Sequence, residues 1–275
     1  MMAYIYRKGC AHHWVWVELQ QTIQQAVTAV CALSLAALAH KKVGEYPPAL
    51  PPAENRSREL LEAMVIWGAM FVSVTYLMLS RYVLFRVYPY VRIAGRMIPI
   101  LHLFLMFEIP FLVEIVLKGR GFADLGFTLQ MPRTPTLALV GFGMISGIIP
   151  LIFGTPRPLP PDYLLLGLLT PALSEEWVYR SAVQQKLERA LGQDRAWLLG
   201  GLLYGLIHVP TDFFGTLWIA SGGDPLVASL RLVSQCGFGW MWGILFIKCR
   251  SILPVMLSHY LTNYTAGILA HLFNP

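Results

Sequence analysis

The chain has 275 residues, of which 56% are hydrophobic and 13% charged, and its formal net charge is +6. A charged share well below the usual ~25%, with a mean hydropathy of +0.57, excludes an ordinary soluble enzyme and points to one polytopic membrane domain. The surplus Lys and Arg lie in short connections, where basic residues set topology and meet anionic lipid, so nucleic-acid binding is not implied.

Residues 1–25 lack the clean apolar core and cleavage site of a signal peptide, and Tyr4, Tyr6, Trp14 and Trp16 suit an interfacial segment. His12 and His13 read as an interfacial pair. Residues 26–39 are apolar but short, the weakest of the spans. Residues 41–59, with Pro47, Pro48, Pro51 and Pro52, form a loop. Residues 60–79 make a good span, followed by a basic, aromatic connection carrying Arg81, Arg86, Arg92 and Arg96. Residues 98–117 read as a span despite Pro99, Glu108, Pro110 and Glu114; the two carboxylates suit a cavity lining or a surface equally. Residues 136–153 are a clear span whose glycines permit close helix packing.

The next run starts near Asp162 and is predicted to stay helical to Leu191, with a kink at Pro171. Gly192 to Arg195 turn the chain, residues 196–209 return, and Pro210-Thr211-Asp212 end that helix. Residues 226–247 and 252–273 form a last hairpin, turned at Lys248-Cys249-Arg250. Arg231 reads as an interior partner or a snorkelling charge. The fold expected is an all-α polytopic transmembrane helical bundle of about eight spans, with N-terminal membrane helices over 1–134 and a helical core over 135–275. The basic connections at 186–195 and 248–250 place that side in the cytoplasm. Counting back then puts the Arg81–Arg96 connection outside, against the same rule, so either 98–117 is re-entrant or another segment fails to span.

Four features of the C-terminal half carry chemistry. Glu175, Glu176 and Arg180 end an apolar run, and charged groups held in hydrocarbon need a reason. Glu176 and Arg180 are four apart on one helix face and can pair, which leaves Glu175 free. Tyr204 and His208 are one turn apart, as are His259 and Asn263. From the turn at Gly192, Glu175 lies 17 residues back and His208 16 forward. At 1.5 Å per residue the two side chains reach almost one depth on facing helices, where they can share a water. His259 can match that level from its own turn. The four cysteines (Cys10, Cys31, Cys236, Cys249) are far apart with no CxxC, which argues against a structural zinc site or a disulfide framework. HExxH, GxSxG and Walker patterns are absent from the sequence.

Glu175-Glu176-xxx-Arg180, then Tyr204-xxx-His208, then His259-xxx-Asn263, in that order, resembles the CPBP family of membrane proteases, the CAAX prenyl endopeptidase-like and bacteriocin-processing enzymes. The resemblance covers roughly residues 164–266 and departs from the family pattern at Tyr204, where Phe is usual. It implies intramembrane endoproteolysis of a membrane-anchored protein or peptide near its terminus, in a lipid bilayer and without nucleic acid. By the same resemblance Glu175 is the general base on a water also held by His208, while His259 and Asn263 stabilise the oxyanion. Glu176, Arg180 and Tyr204 support the geometry. No cofactor is required on this reading; zinc is the alternative, with Glu175, His208 and His259 as its ligands. Two other classes use the same residues: an ion-coupled transporter with a Glu/His relay, against which the lack of an inverted repeat counts, and a non-catalytic immunity or assembly factor. The absence of a eukaryotic targeting signal favours a bacterial inner membrane.

Overall fold

The computed structural model describes residues 11–82, 90–93, 96–99, 109–153, 159–215 and 224–273. Its long helices are α1 (Ala11–Lys42), α2 (Arg56–Tyr82), α3 (Arg133–Phe153), α4 (Gln193–Leu206), α5 (Pro225–Cys249) and α6 (Leu253–Phe273). A further helical run over 161–191 alternates α and π geometry. Leu19–Lys42, Arg56–Leu79, Arg133–Phe153 and Pro225–Cys249 are long and apolar enough to cross a membrane. The architecture is therefore the all-α membrane bundle that composition implies. Among the described residues, four helices meet the length and hydropathy of a span.

Two segments differ from the sequence reading. The helix containing 26–39 begins at Ala11, because the Gln-rich stretch before it is taken into the same helix. Residues 98–117 do not form one helix. Tyr90–Ile93 and Arg96–Pro99 pair as an antiparallel hairpin, with Tyr90 opposite Pro99. Among the described residues that follow, helix is present as Ile109–Phe111 and the π-turn Leu112–Leu117. The described helical piece rises about 14 Å. Residues 100–108, and Glu108 with them, lie outside the described residues.

Small residues set the helix spacing. Ala29, Ala32, Leu35, Ala36 and Ala39 are the buried stripe of α1, while Val27, Val30, Leu33 and Leu38 are exposed. This i, i+3, i+7 pattern lays a flat face on α5, where a Cβ on Gly237 would come within 2.8 Å of the Ala32 Cβ. A Cβ on Gly239 would lie 2.6 Å from the Gly201 carbonyl, and one on Gly143 2.6 Å from the Ser258 carbonyl. Glycine at these points lets α5 close on α4, and α3 on α6.

Charged groups tie the elements together at one end. Lys186, fully buried, is 2.6 Å from Glu114 and 2.9 Å from Glu62, and Arg120 is 2.8 Å from Glu114. Glu114 is thus neither a surface residue nor free in a cavity but the buried centre of an ion-pair cluster. Arg250 pairs with Glu188 at 2.6 Å. The Lys248 ammonium donates toward the carbonyls of Ala39 (2.7 Å), His40 (3.0 Å), Val43 (2.8 Å) and Gly44 (3.2 Å). It also lies 4.3 Å from the centre of the Tyr46 ring. The last carbonyls of a helix have no partner within it and are stabilised by a cation. Lys248→Met leaves these acceptors buried and unmet. We expect a loss of about 3 kcal/mol, read as a clear fall in Tm in detergent.

Candidate active site

Pro161 stands at the first turn of the run 161–191, where its missing N–H costs nothing. The kink expected at Pro171 is present: Thr170, just before it, has φ −144° and ψ 116°, outside the helical region. Past this break come the α-turn Ser174–Glu176 and the π-helix Trp177–Gln184, whose side chains are all buried. π-turns inside longer helices are frequent at functional sites. Here they carry a polar layer through the core.

That layer runs from Glu176 to α5. Arg180 Nε donates to Glu176 Oε2 at 2.8 Å, as the i, i+4 spacing predicts. Arg180 Nη1 donates to Gln184 Oε1 at 2.9 Å, and Gln184 Nε2 donates to the Gly243 carbonyl at 2.8 Å. A Cβ on Gly243 would stand 3.1 Å from Gln184 Oε1 and 3.3 Å from Arg180 Nη1, so glycine makes room for both. The guanidinium also lies over the Tyr204 ring, 5.4 Å from its centre.

The other carboxylate oxygen of Glu176 reaches α6. His259 Nδ1 is 2.8 Å from Glu176 Oε1, and the imidazole stacks on Trp242 with centroids 4.5 Å apart. With Nδ1–H assigned to this bond, the ring edge bearing Nε2 faces Glu175, 3.9 Å from its Oε2. The Tyr204 hydroxyl stands 3.4 Å from the same oxygen. His208 Nδ1 is 2.8 Å from the carbonyl of Tyr204 on its own helix. That bond makes Nδ1 the protonated nitrogen of a neutral ring and leaves Nε2 as an acceptor.

Glu175 and His208 line one cavity of about 190 Å³, together with Val74, Leu77, Tyr179, Ile207 and Thr211. Its volume equals that of about six water molecules. The depth matching of Glu175 and His208 across the Gly192 turn therefore gives a shared cavity wall. Helix does not stop at Pro210; it continues as the π-turn Val209–Phe214, because Pro at its first turn is tolerated. This places Thr211 on the cavity wall. Asp212, next to it, pairs with Arg231 at 3.4 Å, and the Arg231 side chain is 42% exposed. Asn263 is exposed and does not line the cavity. Tyr179 was not singled out from the sequence, although its place four residues after Glu175 sets both on one helix face.

The donor types Glu175, His208 and His259 are those of a zinc site, and each imidazole has its Nδ1 held by an oxygen, as metal-bound histidines do. As folded, however, no group of three His, Cys, Asp or Glu side chains among the described residues is close enough to hold a metal ion.

Residues 158–265 match the family model described as type II CAAX prenyl endopeptidase Rce1-like. No curated protein and no solved structure matches the chain.

Proposed function

With residues 158–265 belonging to the CPBP family of intramembrane proteases, we propose that this chain hydrolyses one peptide bond of a membrane-anchored protein or peptide, near its terminus, with water activated by Glu175. Membership by itself makes the chain an intramembrane endopeptidase in broad terms, with a membrane-associated protein or peptide as substrate. The residue roles, the mechanism and a bacterial inner membrane as its location are the proposal. The observation that carries it is that Glu175 and His208 line one partly open cavity, each oriented by a neighbour outside the reaction.

In this mechanism a water donates one hydrogen bond to the Glu175 carboxylate and one to His208 Nε2. Glu175 takes the proton as the water oxygen bonds to the scissile carbonyl carbon, and the carbonyl oxygen becomes an oxyanion. His259, donating from Nε2, and Asn263, exposed one turn along α6 and open to an incoming chain, meet that oxyanion. When the C–N bond breaks, Glu175 passes its proton to the leaving amine nitrogen, which restores the carboxylate. Glu176 fixes the His259 ring, and Arg180 fixes Glu176. Support for the division of labour comes from the two carboxylates themselves: Glu176 has both oxygens engaged, at 2.8 Å each, whereas among the described residues Glu175 makes longer contacts, at 3.4 and 3.9 Å.

The test is quantitative proteomics of peptide termini in membranes from cells carrying the wild-type chain or Glu175→Ala at equal abundance. New termini that vanish in the variant establish the peptidase and name its substrate. An unchanged set overturns the reading in favour of a non-catalytic factor. Cleavage of the substrate so found is expected to survive dialysis of the purified protein against a strong chelator; loss of activity with recovery on adding zinc overturns the metal-free mechanism.

A further inference from the structure

Tyr179 is 2% exposed, and its hydroxyl is buried with no hydrogen-bond partner among the described residues. Buried hydroxyls are nearly always bonded, and an unbonded one weakens the fold, so such a group asks for an explanation. Its position supplies one. Tyr179 lines the same cavity as Glu175, His208 and Thr211, and its ring packs edge-on to Tyr204 at 4.9 Å. Tyr204 in turn carries the hydroxyl nearest Glu175, at 3.4 Å. The two tyrosines differ in what they can do. Tyr204 already has the Glu175 carboxylate as acceptor, whereas Tyr179 keeps an unspent donor one helical turn from the proposed base.

The two side chains that meet the oxyanion in the proposed mechanism are not part of the cavity lining. His259 reaches Glu175 without lining the cavity, and Asn263 is exposed outside it. The lining shared by Glu175 and His208 therefore includes a tyrosine whose buried hydroxyl is uncommitted among the described residues. We propose that the Tyr179 hydroxyl is a further catalytic residue, donating a hydrogen bond to the scissile carbonyl oxygen as it becomes an oxyanion, a role that presupposes the peptidase reading. A group kept without a partner in the free protein and satisfied only during reaction spends stability to gain rate.

Tyr179→Phe separates this role from a structural one. Removing an unpartnered hydroxyl leaves Tm unchanged or raises it, while the rate at which Glu175-dependent termini appear falls about 100-fold, the effect of deleting one oxyanion donor. Both are measured on the full-length protein, the first by thermal melting in detergent and the second by time-resolved proteomics of termini beside wild type and Glu175→Ala. A wild-type rate in Tyr179→Phe overturns the inference. A lowered Tm, or failure to fold, also overturns it, because the hydroxyl would then have a structural partner. Should no termini depend on Glu175, the peptidase reading fails, and the inference with it. Termini that depend on Glu175 but not on Tyr179 sink the inference alone.

Discussion

Glu175→Gln lowers the cleavage rate at least ~10³-fold and leaves the protein folded. The substitution conserves shape and keeps an amide oxygen to accept from the Tyr204 hydroxyl, 3.4 Å away in the wild type. It removes only the ability to take a proton from water. Among the described residues Glu175 pairs with no arginine or lysine that would be stranded; the basic group against it is His259, at 3.9 Å. Stability is therefore expected to change by less than about 1 kcal/mol, within the range of substitutions that break no buried pair. Single-turnover cleavage of the substrate identified from termini, with Tm measured on the same preparation, checks both halves. Cleavage retained at more than a tenth of the wild-type rate would move the base elsewhere and return weight to a scaffold role.

The parts of this site that were legible in the sequence are those fixed by spacing along one helix or across one tight turn. Glu176 and Arg180 pair because they are four apart. Glu175 and His208 meet because Gly192 lies midway between them and the two flanking helices carry them to one depth. Pro171 breaks its helix because proline excludes its predecessor from helical dihedrals, and Thr170 adopts an extended conformation. What escaped is long-range or a matter of rotation. Nothing local says that His259 bonds to Glu176, a residue 83 positions away, or that Val74 and Leu77 of α2 close the cavity. Lys248 capping α1 joins the two ends of the chain and has no spacing signal. The hairpin at Tyr90–Pro99 competed with an apolar run whose hydropathy looks the same in a helix or a strand; backbone pairing decided it. Asn263 is four residues after buried His259, yet it is exposed, because helix period gives a face and only packing says what covers it. Tyr179 could have been found, since the i, i+4 rule applied to Glu176 applies equally to Glu175.

Glu176→Ala is expected to be the most damaging single change to the fold. Glu176 and Arg180 are both fully buried, and their pair is 2.8 Å long. Removing the carboxylate leaves a guanidinium in the core with Gln184 and the Tyr204 ring as its remaining neighbours. Breaking one side of a buried pair costs about 3–5 kcal/mol, a large part of the ~5–15 kcal/mol that holds a domain together. The variant should therefore reach the membrane at low abundance and melt well below wild type. Glu176→Gln separates fold from function. It conserves shape and keeps one of the two acceptor oxygens, with an NH2 group in place of the other, so abundance recovers in part. The carboxylate that accepts from His259 Nδ1 at 2.8 Å is gone, however, and with it the acceptor that fixes the ring. On the mechanism proposed above, cleavage per folded molecule then falls about 10–100-fold, the range of losses when the partner that orients a site histidine is removed. Quantitative blotting of membranes reads the first effect, and turnover normalised to folded protein reads the second. Full activity in Glu176→Gln would show that the His259 ring needs no carboxylate behind it. It would remove His259 from the oxyanion site and leave that task to Asn263 and the Tyr179 hydroxyl.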